Sequence, residues 1–290
     1  MTATHTHIST QGDADASPSP LPVFLISAPR SGSTWLQRML QAHPRICGGE
    51  ESHFFTVFSS PWNVGYEIAD LADGRIGPLA YLPGDRYDDL FRTIWAELFA
   101  GLYDANPKAT FHLEKTPRHA LHIKEILKLF PEARFIILYR EPRSVAASIL
   151  HANRTWGGHW APKKAKGAAC EWWRHSVRCR DVEQRSDRGK RCVVRYEELK
   201  SNPTSELVDL LEFLGLERDE ALVKQMVAAG TGAITRKNTP KDFARTQAED
   251  GWRVPLSLRQ RATIWRYTRR LAGELGYPSR LIDYLRAPHR

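Results

Sequence analysis

Residues 21–42 restrict the possible folds more than any other stretch of this chain. Leu21 to Ser27 (Leu-Pro-Val-Phe-Leu-Ile-Ser) is a short apolar run with β-branched and aromatic side chains, the pattern of a parallel strand buried on both faces. Pro29 to Gly32 reads as a turn. Ser33 to Ala42 has helical spacing, with Trp35, Leu36, Met39 and Leu40 on one side, and His43-Pro44 ends it. A buried strand feeding a helix through a tight turn belongs to an open α/β sheet.

The pattern returns downstream. Arg134 to Tyr139 (Arg-Phe-Ile-Ile-Leu-Tyr) and Arg191 to Tyr196 (Arg-Cys-Val-Val-Arg-Tyr) read as further buried strands. A helix is predicted over His119 to Phe130. Another starts at Pro142 and continues through Val145 to Leu150, and a third runs from Asn202-Pro203 to Leu214 and stops at Gly215. Strands alternating with helices predict an α/β fold: a single domain with a central parallel sheet flanked by helices and right-handed crossovers. At 290 residues the chain can bury one large core. No internal repeat or domain boundary is visible, so residues 21–290 are expected to form one domain. Residues 1–20, polar and ending Ser-Pro-Ser-Pro, are expected to be a disordered leader. Residues 59–89, 155–166 and 231–255 lack periodicity and have the character of lids or binding loops.

Composition narrows the partner. The net charge of +9 suits an anion. The basic residues recur singly at the ends of apolar segments, which favours a small-anion pocket over a nucleic-acid stripe, and no nucleic-acid partner is expected. Cys47, Cys170, Cys179 and Cys192 form no C-x-x-C pair and complete no zinc pattern, so no metal is expected and a reducing compartment fits. No apolar run approaches the ~18 residues of a membrane span, and residues 1–20 lack the basic start and apolar middle of a signal peptide. The expectation is a cytoplasmic protein without a stable membrane anchor; a homodimer is allowed but not required.

The first turn carries the chemistry. At the carboxyl end of a parallel strand, the free N–H groups and positive dipole end of the following helix converge on one spot, which suits a phosphate. Gly32 lets backbone approach it closely. Ser31, Ser33 and Thr34 offer hydroxyls, and Arg30 a fixed charge. The loop is not a Walker A sequence, because no Lys follows its glycine.

Ala28-Pro29-Arg30-Ser31-Gly32-Ser33-Thr34-Trp35-Leu36 resembles the 5′-phosphosulfate loop of the sulfotransferase superfamily in its Pro-Arg-Ser-Gly form, closest to the tyrosylprotein sulfotransferases and the related bacterial branch. Four further stretches extend the likeness over most of the chain from Val23 onward. The resemblance implies the P-loop-like sulfotransferase fold. It implies 3′-phosphoadenosine-5′-phosphosulfate (PAPS) as co-substrate and 3′,5′-adenosine bisphosphate (PAP) as product, with Arg30, Ser31, Gly32, Ser33, Thr34 and Trp35 on the nucleotide. Gly48-Gly49-Glu50-Glu51-Ser52-His53 matches the glutamate pair whose second member, here Glu51, is the family's base; His53 is the rival, since other branches use a histidine. Lys115 in His112-Leu113-Glu114-Lys115-Thr116-Pro117 matches the catalytic lysine that steadies the departing phosphate. Arg140 at a strand end, with Ser148 eight residues on, matches the 3′-phosphate motif, while Arg143 and Ser144 are equally readable as helix caps. Tyr196 matches a nucleotide-contacting tyrosine and equally suits the core. Arg236 and Lys237 match a late loop over the 3′-phosphate.

The likeness has a limit. Glu50-Glu51 is followed by Ser52-His53 where the tyrosylprotein enzymes carry Thr-Arg, which speaks against a peptide tyrosine. The acceptor is expected to be a small-molecule, carbohydrate or lipid hydroxyl, or an amine. Trp156, His159, Trp160, Trp172 and Trp173 are candidates for its pocket, although Trp172 and Trp173 also suit a core. The rival function is a P-loop-type kinase or NTPase with a degenerate phosphate loop.

Overall fold

The apolar runs become a five-stranded, all-parallel sheet: β1 (Leu21–Ser27), β2 (Ile46–Cys47), β3 (Phe111–Glu114), β4 (Arg134–Tyr139) and β5 (Arg191–Arg195), in the order β2-β3-β1-β4-β5. The computed structural model describes residues 19–58, 84–231 and 256–285. Strand β1 is central, paired with β3 on one side (Phe24 opposite Glu114) and β4 on the other (Ser27 opposite Leu138). Side chains alternate across a strand, so β1 feeds two cores. Val23 and Leu25 enter a cluster with Leu36, Met39 and Leu40 of α1 (Ser33–Gln41) and with leucines of α7 and α8. Phe24 and Ile26 enter the opposite cluster with Trp95, Val145, Trp172 and Ile264.

Helices α2 (Phe54–Phe58), α3 (Gly84–Asp104), α4 (Ile123–Leu129), α5 (Pro142–Thr155), α6 (Ala165–Arg185) and α10 (Leu258–Glu274) serve that second face. Helices α1, α7 (Tyr196–Ser201), α8 (Pro203–Leu214) and α9 (Glu220–Thr231) cover the first, and α11 (Leu281–Leu285) packs on α10. Phe24 is the aromatic hub of the second face. Its ring lies 5.9 Å from those of Phe55, Trp95 and His119 and 6.0 Å from Phe135. Each such pair adds about 0.5–1.5 kcal/mol beyond area burial.

The structure redraws several elements. The helix predicted over 119–130 is a 3-10 turn at Pro117–Leu121 followed by α4, with His122 between them at φ −120, outside the helical region. The strand predicted through Tyr196 ends at Arg195, and Tyr196 opens α7. Helix α3 begins at Gly84, inside the stretch expected to be irregular. Strands β2 and β3 had no apolar signature: β2 has two residues, and β3 (Phe-His-Leu-Glu) carries two polar side chains, both buried. Trp172 is buried, but its neighbour Trp173 is 46% exposed, because adjacent positions on a helix cannot share one face. Arg143 and Ser144 are held by a cap. Glu141 precedes α5, accepts the Ser144 N–H at 2.8 Å and pairs with Arg143 at 2.5 Å. Among the described residues no helix is long and apolar enough to cross a membrane.

Candidate active site

The turn after β1 is shaped by two left-handed residues, Arg30 at φ 70 and Gly32 at φ 98. Gly32 is required twice over. Its φ suits glycine, and a Cβ there would lie 2.5 Å from the ring of Tyr196. The turn leaves the first turn of α1 without a side-chain cap. It also buries Ser31 Oγ with no hydrogen-bond partner. A buried hydroxyl and a bare helix start are unmet donors, and an anionic oxygen is the group that satisfies both.

The ends of β4 and β5 close one side of this turn. Arg140, one residue beyond β4, donates from Nη1 to the Arg30 carbonyl at 3.2 Å, and its guanidinium lies 3.8 Å over the ring of Tyr196. The Arg140 Nε is buried without a partner. The Trp172 indole N–H donates to the Arg140 carbonyl at 2.9 Å and so anchors the strand end. Arg30 Nε donates to Ser148 Oγ at 3.2 Å, and the Arg30 guanidinium sits 5.2 Å from the Trp156 ring centre. Trp35 meets Tyr196 edge-on at 5.7 Å. Tyr196 is therefore buried and also part of the site, since one ring packs on Gly32, Trp35 and Arg140.

The end of β3 closes the other side. Lys115, 1% exposed, donates from Nζ to Glu51 Oε1 at 2.5 Å and to Thr34 Oγ1 at 3.3 Å. His53 Nε2 lies 3.6 Å from the second oxygen of Glu51, and both side chains reach solvent. The Glu51 segment is held against α1 by Gln37, whose Nε2 donates to the Gly49 carbonyl at 2.8 Å. Beside Lys115 sits Glu114, fully buried. Thr116 Oγ1 donates to it at 2.6 Å and Ser52 hydrogen-bonds it through side chain and backbone N–H. Burial pushes the Glu114 carboxyl up to about 7, against those hydrogen bonds and the Lys115 charge, which draw it down. Nearby His119 is held well below the usual histidine range by burial, with the charges of His122 and His53 adding to it.

The fold thus gathers Arg30, Ser31, Gly32, Ser33, Thr34, Trp35, Glu51, His53, Lys115, Arg140, Ser148 and Tyr196 at the carboxyl ends of β1, β3, β4 and β5. Arg236, Lys237 and nearly all of the 1–20 leader lie outside the described residues. Sequence reasoning missed the supports: Glu114, Thr116 and His119 behind the lysine, and Trp172 behind Arg140. In the run Glu-Lys-Thr-Pro the available signal is the carboxylate one residue before the lysine, which alternation along a strand sends to the opposite face. Among the described residues no cluster of three or more His, Cys, Asp or Glu is suited to a metal ion.

A central parallel sheet with an anion-seeking turn, two arginines and a lysine–carboxylate pair at its carboxyl edge is an arrangement suited to a phosphorylated ligand. The chain belongs to the sulfotransferase family, whose model matches residues 22–220. A putative protein-tyrosine sulfotransferase of Caenorhabditis briggsae is 24% identical over 202 residues, covering 69% of this chain and 68% of that protein. Over two further curated relatives the matched share is smaller, 51% of a Caenorhabditis elegans protein-tyrosine sulfotransferase and 62% of a Sinorhizobium fredii nodulation protein. The sulfotransferase domain of a Synechococcus olefin synthase superposes with a TM-score of 0.58 at 22% identity, covering 92% of this chain and 99% of that one. A mouse sulfotransferase complexed with PAP superposes at 0.55 with 13% identity, covering 88% of each chain. These structures share the fold.

Proposed function

We propose that this chain transfers a sulfuryl group from PAPS to the hydroxyl, or amine, of a small-molecule, carbohydrate or lipid acceptor. The observation that carries the reading is the reach of Lys115: one buried ammonium touches both Glu51 and Thr34, the carboxylate and the phosphate-loop hydroxyl that the two halves of such a reaction need. The unpartnered Ser31 Oγ and Arg140 Nε fit a donor with two phosphates, one at the turn and one beside Ser148. PAPS supplies a sulfuryl group already joined to a good leaving phosphate.

In this reading the acceptor oxygen forms the new O–S bond while the bond from sulfur to the 5′-phosphate oxygen breaks, its electron pair leaving with PAP. Glu51 takes the acceptor proton. Lys115 and the amides at the start of α1 offset the charge that grows on the departing phosphate oxygen. Arg140, Ser148 and Arg30 hold the donor in line, and Tyr196 keeps Arg140 aimed. Glu51 is preferred to His53 as base because Glu51 alone contacts Lys115. Trp156 and Trp160, with ring centres 5.7 Å apart, extend from Arg30 as an apolar wall and support an acceptor with an aromatic or hydrophobic body. The proposed setting is cytoplasmic.

Titration calorimetry with PAP, followed by PAPS turnover against a panel of phenols, alcohols, sugars and lipids, tests the reading. Saturable PAP binding without added metal is expected, weakened at least about tenfold by Arg140→Ala. Turnover is expected with one acceptor class and should fall about a hundredfold or more in Glu51→Gln. Absence of PAP binding, or unchanged turnover in Glu51→Gln, would overturn it.

A further inference from the structure

Four consecutive backbone amides follow Glu51, and each is bound by a side chain rather than by a helix carbonyl. The Ser52 N–H binds the Glu114 carboxylate. The His53 N–H donates to Thr116 Oγ1 at 3.3 Å, the Phe54 N–H to Ser52 Oγ at 3.1 Å, and the Phe55 N–H to His119 Nε2 at 3.4 Å. The acceptors share a hub. Thr116 and Ser52 both donate their hydroxyl protons to Glu114, and His119 Nδ1 lies 3.6 Å from Glu114 Oε1, beyond hydrogen-bond distance but beside the carboxylate. Because Nε2 accepts from Phe55, the neutral ring carries its proton on Nδ1, facing Glu114. Within this segment His53 adopts φ 52, a left-handed conformation uncommon for a side-chain-bearing residue.

Glu114 is a costly choice for this position. It is the last residue of β3, opposite Phe24, on the face filled by Phe24, Phe54, Phe55 and Trp95. An apolar residue would satisfy that face, and a buried carboxylate is tolerated only with its lone pairs filled. Its neighbour Lys115 points the other way, to Glu51. One strand end therefore supplies both the ammonium that meets Glu51 and the carboxylate that ties down the backbone on which Glu51 stands.

We propose that Glu114 is a positioning residue for sulfuryl transfer: through its hydrogen bonds with Ser52 and Thr116, and with the His119 ring packed beside it, it clamps residues 52–55 and so fixes Glu51 against Lys115 in the register the proton transfer needs. The proposal rests on Glu51 being the base, as argued above. Glu114 itself touches neither donor nor acceptor, so its loss acts on the chemical step and spares nucleotide binding.

Hydrogen–deuterium exchange and steady-state kinetics on Glu114→Gln test it, with PAPS as donor and the acceptor found in the turnover panel. The amide retains the shape but places an NH2 among groups that are all donors. Expected are faster exchange confined to residues 52–55, a kcat lower by about tenfold to a hundredfold, and a PAP dissociation constant within about twofold of the parent. Thr116→Val removes the acceptor of the His53 N–H together with one hydroxyl donor to Glu114, leaving the carboxylate and its Ser52 contacts in place. It should speed exchange at His53 with a smaller loss of kcat, and it provides the test should Glu114→Gln fold poorly. Unchanged exchange at 52–55 in both variants overturns the clamp, as does loosened exchange with unchanged kcat. A fall in PAP affinity matching the fall in kcat overturns the positioning role in favour of a general structural one. Glu51→Gln separates the two readings: it should lower turnover about a hundredfold or more with exchange at 52–55 unaltered, and undiminished turnover there removes Glu51 as base without touching the clamp.

Discussion

Lys115 shows how little of a residue's role is visible in its own chemistry. An ammonium this buried is tolerated because Glu51 and Thr34 both accept from it. Replacing it with alanine deletes the charge that faces the leaving phosphate, and kcat is expected to fall by about a hundredfold to a thousandfold, with PAP affinity changed much less; single-turnover kinetics at saturating PAPS would read the chemical step directly. Gly32 is constrained by shape instead. Alanine at φ 98 with a Cβ 2.5 Å from the Tyr196 ring must push Tyr196 away from Arg140, and PAP affinity should drop at least about tenfold. Calorimetry on Gly32→Ala checks this, and parent-like affinity would show that the turn tolerates the displacement.

Helix α5 and the strand before it act as one unit. Glu141 caps α5 through the Ser144 N–H, pairs with Arg143, and has its own N–H held by Glu197 at 3.0 Å. Arg143 also reaches the Asp283 carbonyl at 2.5 Å and lies 4.6 Å over the Tyr284 ring, so the cap ties α5 to α11. Glu141→Ala removes the cap and leaves Arg143 buried without its carboxylate. The expected loss is about 3 kcal/mol or more, read as a lower urea midpoint with an unchanged slope. Because α5 carries Ser148 and follows Arg140, PAP affinity should fall with it. A loss of stability with full affinity would separate the cap from the site. At the element scale Arg140 and Ser148 are joined through Arg30, which accepts from Arg140 at its carbonyl and donates to Ser148 from Nε, so the Arg-to-Ser spacing alone was weak evidence.

Across the whole molecule, burial of titratable groups sets the response to pH. Among the described residues His43, His112, His119, His122 and His175 are all depressed, chiefly by burial, with His112 and His175 at about 4. Each binds a proton in the unfolded chain near 6.5 but resists it when folded, so stability is whole above 6.5 and is lost as pH falls toward 4. Glu114, at about 7, and Glu197 and Glu206, also raised by burial, act oppositely: the folded state takes up their protons first as pH falls. The histidines outnumber them and lie deeper, so the melting temperature should drop between pH 6.5 and 4. His112→Gln, which removes one depressed ring, should flatten that slope. A melting temperature independent of pH over that range would contradict the balance.

By itself the sequence determined the fold class and the phosphate-seeking turn, while Glu51, Lys115, Arg140, Ser148 and Tyr196 were candidates through the family resemblance. Those features rest on local rules: a buried strand reads as a continuous apolar run, a turn as Pro-Arg-Ser-Gly, and a strand end as a charged residue after Ile-Ile-Leu-Tyr. Only the tertiary structure decided what those residues do to one another. That β3 lies beside β1, that Lys115 spans Glu51 and Thr34, and that Tyr196 joins the core to Arg140 are contacts between segments tens of residues apart. No periodicity encodes them. Strand β3 was hidden because its buried side chains include a histidine and a glutamate, polar for the sake of the site and paired only through the fold. The same cause hid the Glu114 network: a buried carboxylate looks like surface in a sequence until its donors, from residues 52 and 116, arrive in space.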